Sequence, residues 1–166
     1  MSNMAFTFNT PAGIAGSVTR PLDSSVESVQ LNSATSFGAF GMFGIFVDGL
    51  FVPVVTSSVG TDVKGLLVRS VPSIAGNLTA TFNQAVPNAD YVQGRLTRGY
   101  ANVICTIGTP VKGGAVYVRT VAATGKAIGD IEATSDTNKN VIVPNCEFAT
   151  SGKDANNIAE IFIKVS

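Results

Sequence analysis

Apolar and polar residues alternate near the C-terminal end of the chain. Ala159, Ile161, Ile163 and Val165 take one side, and Glu160 and Lys164 the other. A period of two is that of a half-buried β-strand. Residues 65–71, 98–107, 114–121, 129–133, 140–143 and 147–149 also read as strands. The breaks between them carry turn residues: Thr109-Pro110, Lys112-Gly113-Gly114, Ala123-Thr124-Gly125-Lys126, and the polar stretches 136–140 and 151–157. Strand signals about 8–12 residues apart predict a β-sandwich or barrel. No segment has a convincing helical period. Residues 24–31 offer one or two helical turns at most, with Val26 and Val29 on one side, and 76–90 is expected to be a surface excursion.

The sharpest local signal is Asp48-Gly49 between the apolar runs Ile45-Phe46-Val47 and Leu50-Phe51-Val52. Both central residues of a type I′ turn need positive φ, which Asp-Gly supplies, so a hairpin is predicted with Val47 opposite Leu50 and Ile45 opposite Val52. Pro53 places the second strand at an edge or ends it there. One face then carries Phe43, Ile45, Val47, Leu50, Val52 and Val54, and the other Phe46, Phe51 and Val55. Neither face is polar.

Just upstream, phenylalanine recurs at 37, 40, 43 and 46 with glycine after the first three, so four of the ten phenylalanines lie in ten residues. In an extended strand this spacing sends Phe37 and Phe43 one way and Phe40 and Phe46 the other. Such a segment needs cover on both sides, from the chain's own core or from a neighbouring subunit; the sequence leaves the two open. Residues 1–36 hold Pro11, Gly13, Gly16 and Pro21 among Ser, Thr and Asn, which excludes a stable helix. Phe6 and Phe8 alternate with Thr7 and Asn9 as a short strand would. The expected organisation is an extended N-terminal arm, 1–36, and a β-sandwich domain, 37–166.

Composition narrows the function. The chain has 166 residues, 45% apolar and only 13% charged, with 11 basic and 11 acidic side chains. The charged fraction is about half the usual value of roughly 25%. Little charge is left to cover a free surface, so partners are expected to cover part of it. The basic residues are scattered, without the stripe that neutralises phosphates, and direct nucleic-acid binding is not expected. No apolar run approaches the length of a membrane span, and no signal peptide is visible, so the expected site of synthesis is the host cytoplasm.

Chemistry is scarce. Histidine is absent, which removes the usual general base and Ser-His-Asp or Cys-His catalysis. Neither a P-loop nor a GxGxxG or GxSxG pattern is present. Cys105 and Cys146 lie in apolar strand-like stretches and are expected as buried free thiols. Asp130 and Glu132, with Asp136 nearby, form the one carboxylate group worth weighing as a metal site or dyad; a solvated strand edge and turn is the expected reading. No catalytic, cofactor-binding or metal residue and no cofactor is assigned.

Several short blocks carry a family resemblance. These are Ala15-Gly16-Ser17-Val18-Thr19-Arg20-Pro21, Gly65-Leu66-Leu67-Val68-Arg69-Ser70-Val71-Pro72, Arg98-Gly99-Tyr100, Thr109-Pro110-Val111-Lys112-Gly113-Gly114-Ala115-Val116-Tyr117-Val118-Arg119, Gly129-Asp130-Ile131-Glu132-Ala133 and Val143-Pro144-Asn145-Cys146-Glu147-Phe148. In order and spacing they resemble the structural cement (head decoration) proteins of tailed bacteriophages, from about residue 15 to the C-terminus. The resemblance implies an all-β, jelly-roll-like sandwich or barrel with an extended N-terminal arm. It implies a non-enzymatic virion protein on the outer surface of the head, partnered by the major capsid protein and by further copies of itself as a dimer or trimer. Phe6, Phe8, Phe37, Phe40, Phe43, Phe46 and Phe51 are the candidate contact residues toward capsid or self. A virion-surface module gripping carbohydrate is the alternative. The lack of Trp and the presence of only three Tyr weigh against it.

Overall fold

The computed structural model describes residues 13–69, 86–90 and 92–165. Within them the chain is nearly all β. Nine strands run β1 (Ser25–Val29), β2 (Phe43–Val47), β3 (Leu50–Pro53), β4 (Gly65–Val68), β5 (Gln93–Ile107), β6 (Ala115–Arg119), β7 (Ile131–Glu132), β8 (Asn140–Phe148) and β9 (Ile158–Lys164). Two single 3₁₀ turns, Pro21–Asp23 and Gly60–Asp62, are the only helical pieces among the described residues.

The fifteen residues of β5 organise the molecule. Its C-terminal half begins a closed barrel in the order β5-β7-β6-β8-β9, and β9 returns antiparallel to β5 from Arg98↔Lys164 to Ile104↔Ile158. Within the barrel only the β5–β7 contact is parallel. The N-terminal half of β5 carries β4, β2 and β3 on one side and β1 on the other. Leu31, just past β1, makes a parallel bridge to Phe51 of β3, so this smaller wing also curls back on itself. Closure of the barrel removes its open edges, which is how an antiparallel β protein avoids unwanted pairing.

Alternation along the strands sorts the side chains. Leu66 and Val68 of β4 join the main core with Phe43, Ile45, Val52, Leu96, Val103, Val118, Phe148, Ile161 and Ile163. Leu67, between them, turns to a second core of Val29, Leu31, Phe37 and Phe51. Every residue of β4 is therefore buried, a pattern that only a strand covered on both faces shows. In β9, Ala159, Ile161 and Ile163 are buried and Lys164 exposed, as the alternation predicts.

The predicted hairpin forms in the predicted register, with Val47↔Leu50 and Ile45↔Val52. Asp48 (φ 50°) and Gly49 (φ 80°) both take positive φ. β3 ends at Pro53.

Three expectations are corrected. Residues 24–31 are not helical: 25–29 form β1, because the backbone of β5 offers pairing from Arg98 to Gln93 that a lone helical turn cannot match. The Phe-Gly segment is not one extended strand. Residues 37–42 bend, with Gly41 at φ 80°, and only from Phe43 does strand geometry begin. The bend is held by Gly41 N–H to Leu67 O (2.7 Å) and Leu67 N–H to Met42 O (2.9 Å). Phe37 and Phe43 consequently enter different cores. Finally, 140–143 and 147–149 are not two strands. β8 runs through both, bulging at Pro144-Asn145 with Asn145 at φ 53°.

From residue 13 onward the N-terminal segment lies along β5, with Gly16 N–H to Asn102 O at 2.8 Å, Asn102 N–H to Ser17 O at 2.9 Å and Thr19 N–H to Tyr100 O at 3.0 Å. Residues 1–12, with Phe6 and Phe8, lie outside the described residues, as do 70–85, which take in most of the excursion expected at 76–90. The 3₁₀ turn at 60–62 ties the wing side to the barrel. A Cβ on Gly60 would overlap the backbone carbonyl of Ile142 in β8. Gly60→Ala is expected to cost about 1–3 kcal/mol, because a backbone atom cannot step aside as a side chain can. Denaturant unfolding checks it.

Candidate functional site

The carboxylates that invited a metal or catalytic reading are tied up in an internal clamp. Arg119 of β6 and Glu132 of β7 are both fully buried. Arg119 Nε donates to Glu132 Oε1 (2.6 Å) and Nη2 to Glu132 Oε2 (3.1 Å), a bidentate pair, while Nη2 also reaches Asp136 Oδ2 (2.8 Å). Asn140 Nδ2 donates to Glu132 Oε2 (2.5 Å) and to Thr134 O (2.9 Å), and Lys126 Nζ lies 3.4 Å from Asp136. Asp130 is separate; it accepts the Ala127 N–H in its own turn. The expected solvated edge is thus corrected at Glu132: the strand is interior, and the carboxylate is neutralised there by a guanidinium. Glu132 accepts three hydrogen bonds and has no exposed surface, so it is closed to a substrate from outside. No group of three or more potential metal ligands occurs among the described residues.

The hydrogen bonds that Arg119 donates to Glu132, and then the one to Asp136, hold its guanidinium above its ordinary pKa against the opposing effect of burial. Asp136 is held below the ordinary carboxylate value, first by the Arg119 hydrogen bond. A carboxylate lowered in the folded state adds stability above its unfolded pKa and loses it as pH falls through the folded value. The barrel should therefore weaken below about pH 4. Asp136→Asn should flatten that acid limb in thermal melts run between neutral and acid pH.

Both cysteines are buried and free, as expected. Burial raises the pKa of each thiol, Cys146 the more, so neither is a poised thiolate.

The phenylalanines divide. Phe37, Phe43 and Phe51 have no exposed surface. Phe37 and Phe51 stack at 5.3 Å in the wing core, and Phe43 sits in the main core. These three are core residues of the isolated chain. Phe40 is partly buried against the wing core beneath the Arg69 guanidinium, 4.9 Å from its ring centroid. Phe46 is 42% exposed beside Phe51 on the hairpin, with Arg95 at 5.0 Å from its centroid and the 43%-exposed Val47 next to it. The structure brings Phe37, Phe46 and Phe51 together but leaves only Phe46 substantially open.

A second surface, on the outside of the barrel, was not singled out from sequence. The Arg20 guanidinium lies 3.8 Å from the Tyr100 ring centroid, and Tyr100 lies 5.0 Å from Phe162. Arg20 also pairs with Glu160 at 3.2 Å, and Thr19 Oγ1 donates to the same carboxylate at 2.5 Å. Beside this stack the β8 bulge leaves an open groove of about 420 Å³ between Ile142, Pro144, Glu147, Phe162 and Lys164. Ile142 at its rim is 52% exposed. The signal was present in the last strand: Phe162 falls on the polar side with Glu160 and Lys164, and an aromatic there marks a surface rather than a core.

A charge-poor closed barrel, with a buried ionic cluster sealed from solvent and a surface marked by apolar tips and an open groove, is built like a structural binding protein. Family comparison agrees. The family described as structural cement protein (E217 gp24/Pam3 gp6) matches residues 3–164. The chain belongs to that phage structural cement protein family, and its role is that of a structural component of the phage capsid. A search of curated proteins found no match. Among solved structures, a chain from the capsid of Myoviridae phage XM1 is similar in fold, with a TM-score of 0.70 at 18% identity, over 98% of this chain and 97% of that one.

Proposed function

We propose that the protein binds the outer surface of a tailed-phage icosahedral head, bridges major capsid subunits and stabilises the shell against the pressure of packaged DNA. The observation that carries this reading is the family match over nearly the whole chain. The exposed apolar hairpin tip supports it, since Phe46 and Val47 gain from burial against a partner. The mechanism is mechanical. Once one contact to the shell has formed, a second to an adjacent subunit is intramolecular, and avidity rises by about 10²–10⁴ without stronger single contacts. Low surface charge suits a permanent interface, whose buried centre is depleted of charged residues. Several copies act together as a dimer or trimer. Of the candidate phenylalanines, Phe40, Phe46 and the arm residues Phe6 and Phe8 are left to make outward contacts.

The test uses heads purified without the protein. Adding the full chain should saturate defined sites and raise the temperature at which the heads open. Heads that bind none of it, or that open at the same temperature when decorated, would overturn the reading.

A further inference from the structure

We propose that β1 is an acceptor strand, and that the edge left open among the described residues is filled by the N-terminal segment around Phe6-Thr7-Phe8-Asn9 of a neighbouring copy of this chain. The starting point is an exposed edge that no described residue covers, guarded only by Glu27 and the irregularity at Ser25-Val26. β1 pairs with β5 on one side only. On its other side no described residue pairs with it until Gln30 O accepts the Phe51 N–H (2.9 Å), beyond the strand's end. Its first four residues, Ser25 to Ser28, are all exposed. An open edge is normally blunted by Lys, by Pro or by a covering element. Ser-Val-Glu-Ser-Val contains neither residue, and Glu27 is its one charge; the other end strand, β3, is met on its far side by Leu31 at Phe51. An edge of this kind fits an incoming strand, which gains main-chain hydrogen bonds along its length.

Its own chemistry selects the occupant. Glu27 at the centre is ion-paired to Arg95, whose guanidinium also covers Phe46. A second β1 laid antiparallel would set Glu27 against Glu27, an unfavourable pairing. An uncharged strand with alternate aromatic residues suits the site better, and the chain holds one at Phe6-Thr7-Phe8-Asn9.

Reach then decides which copy supplies it. Gly13 lies against the Asn102 side chain, and the chain from Gly16 to Val29 runs antiparallel along β5 toward Gln93. Phe8 is five residues from Gly13, which span at most about 18 Å fully extended. From Asn102 back to Arg95, the partner of Glu27, is seven residues of β5, or about 23 Å. The turn at Pro21–Asp23 also stands in between. A chain cannot lay Phe8 beside its own Glu27; an adjacent copy can. Copies held side by side on a shell would then be laced by exchanged strands, a contact between copies additional to the capsid contact proposed above.

The test is disulfide trapping between full chains, each folded variant checked by its unfolding midpoint. Phe8→Cys protein is mixed with Val26→Cys, Glu27→Cys or Ser28→Cys protein, alone at high concentration and on undecorated heads, with copper phenanthroline as oxidant. The native thiols are buried, and the wild-type chain gives the background. The expected result is a covalent pair joining position 8 of one chain to one of the three β1 positions of another. A double variant, Phe8→Cys with Glu27→Cys, is oxidised in parallel. Three results would overturn the proposal: no such pair at any position, a disulfide within the double variant's own chain with none between chains, or a dominant 27-to-27 pair, which would assign β1 to self-pairing. Trapping and head stabilisation are separate readouts, so either reading can fail without the other.

Discussion

Glu132→Gln is expected to lower the stability of the protein by about 3–5 kcal/mol, because it leaves a buried guanidinium without its main counter-charge. Arg119 and Glu132 are both fully buried, and their bidentate pair joins β6 to β7 across the barrel wall. Glutamine keeps the shape and one acceptor but removes the charge. Asp136, 2.8 Å from Nη2, remains, but its side chain is 29% exposed and water screens it. For a domain of this size the cost corresponds to a drop of roughly 6–20 °C in melting temperature. The companion experiment separates charge from packing. Replacing both residues with methionine removes the unpaired charge, and buried ion pairs exchanged for apolar side chains of similar volume are often neutral or stabilising. The double variant should recover most of the loss. If it is as unstable as Glu132→Gln, then the hydrogen bonds from Asn140 and to Val121 hold this end of the barrel, rather than the charge pair.

The β-class, the hairpin register and the alternation of β9 were legible in the sequence because each depends on neighbours a few residues apart. Asp48-Gly49 dictates its own turn, and the period of two in 158–165 needs no knowledge of the partner strand. What escaped was set by distant partners. Residues 25–29 carry a weak local preference, and the backbone of β5, some seventy residues on, makes them a strand. Glu132 reads as a surface carboxylate until β6 brings Arg119 beside it. The Phe-Gly run illustrates the limit: its spacing announced an apolar segment in need of cover, and the fold covers Phe37 and Phe43 but leaves Phe46 open. Strand geometry alone, however, could not foresee that Gly41 would bend the chain and divide Phe37 from Phe43 between two cores. Of the candidate contact residues, burial separates Phe37, Phe43 and Phe51 from Phe46, a distinction that composition cannot make.

That separation yields the second large effect, read from two phenylalanines five residues apart. Phe51→Ala is expected to cost about 3–5 kcal/mol, the range for emptying a buried aromatic site. Phe51 is wholly enclosed, stacks on Phe37, and lies where β3 bridges to Leu31. Losing it should loosen the closure of the wing while the barrel, whose core lies on the other side of β4, stays folded; hydrogen exchange would show protection lost in β1 to β3 and kept in β6, β8 and β9. Phe46→Ala should behave oppositely. Its ring is already 42% exposed, so stability should fall by no more than about 1 kcal/mol. If Phe46 is buried against the shell, attachment loses roughly 1.5–3 kcal/mol per contact, or about 10–100-fold in affinity. Thermal melts of the free protein and saturation binding to undecorated heads measure the two quantities independently. Phe46→Ala protein that binds heads with unchanged affinity would remove the hairpin tip from the capsid interface and leave the barrel-side groove, between Ile142 and Phe162, as the surface to test next.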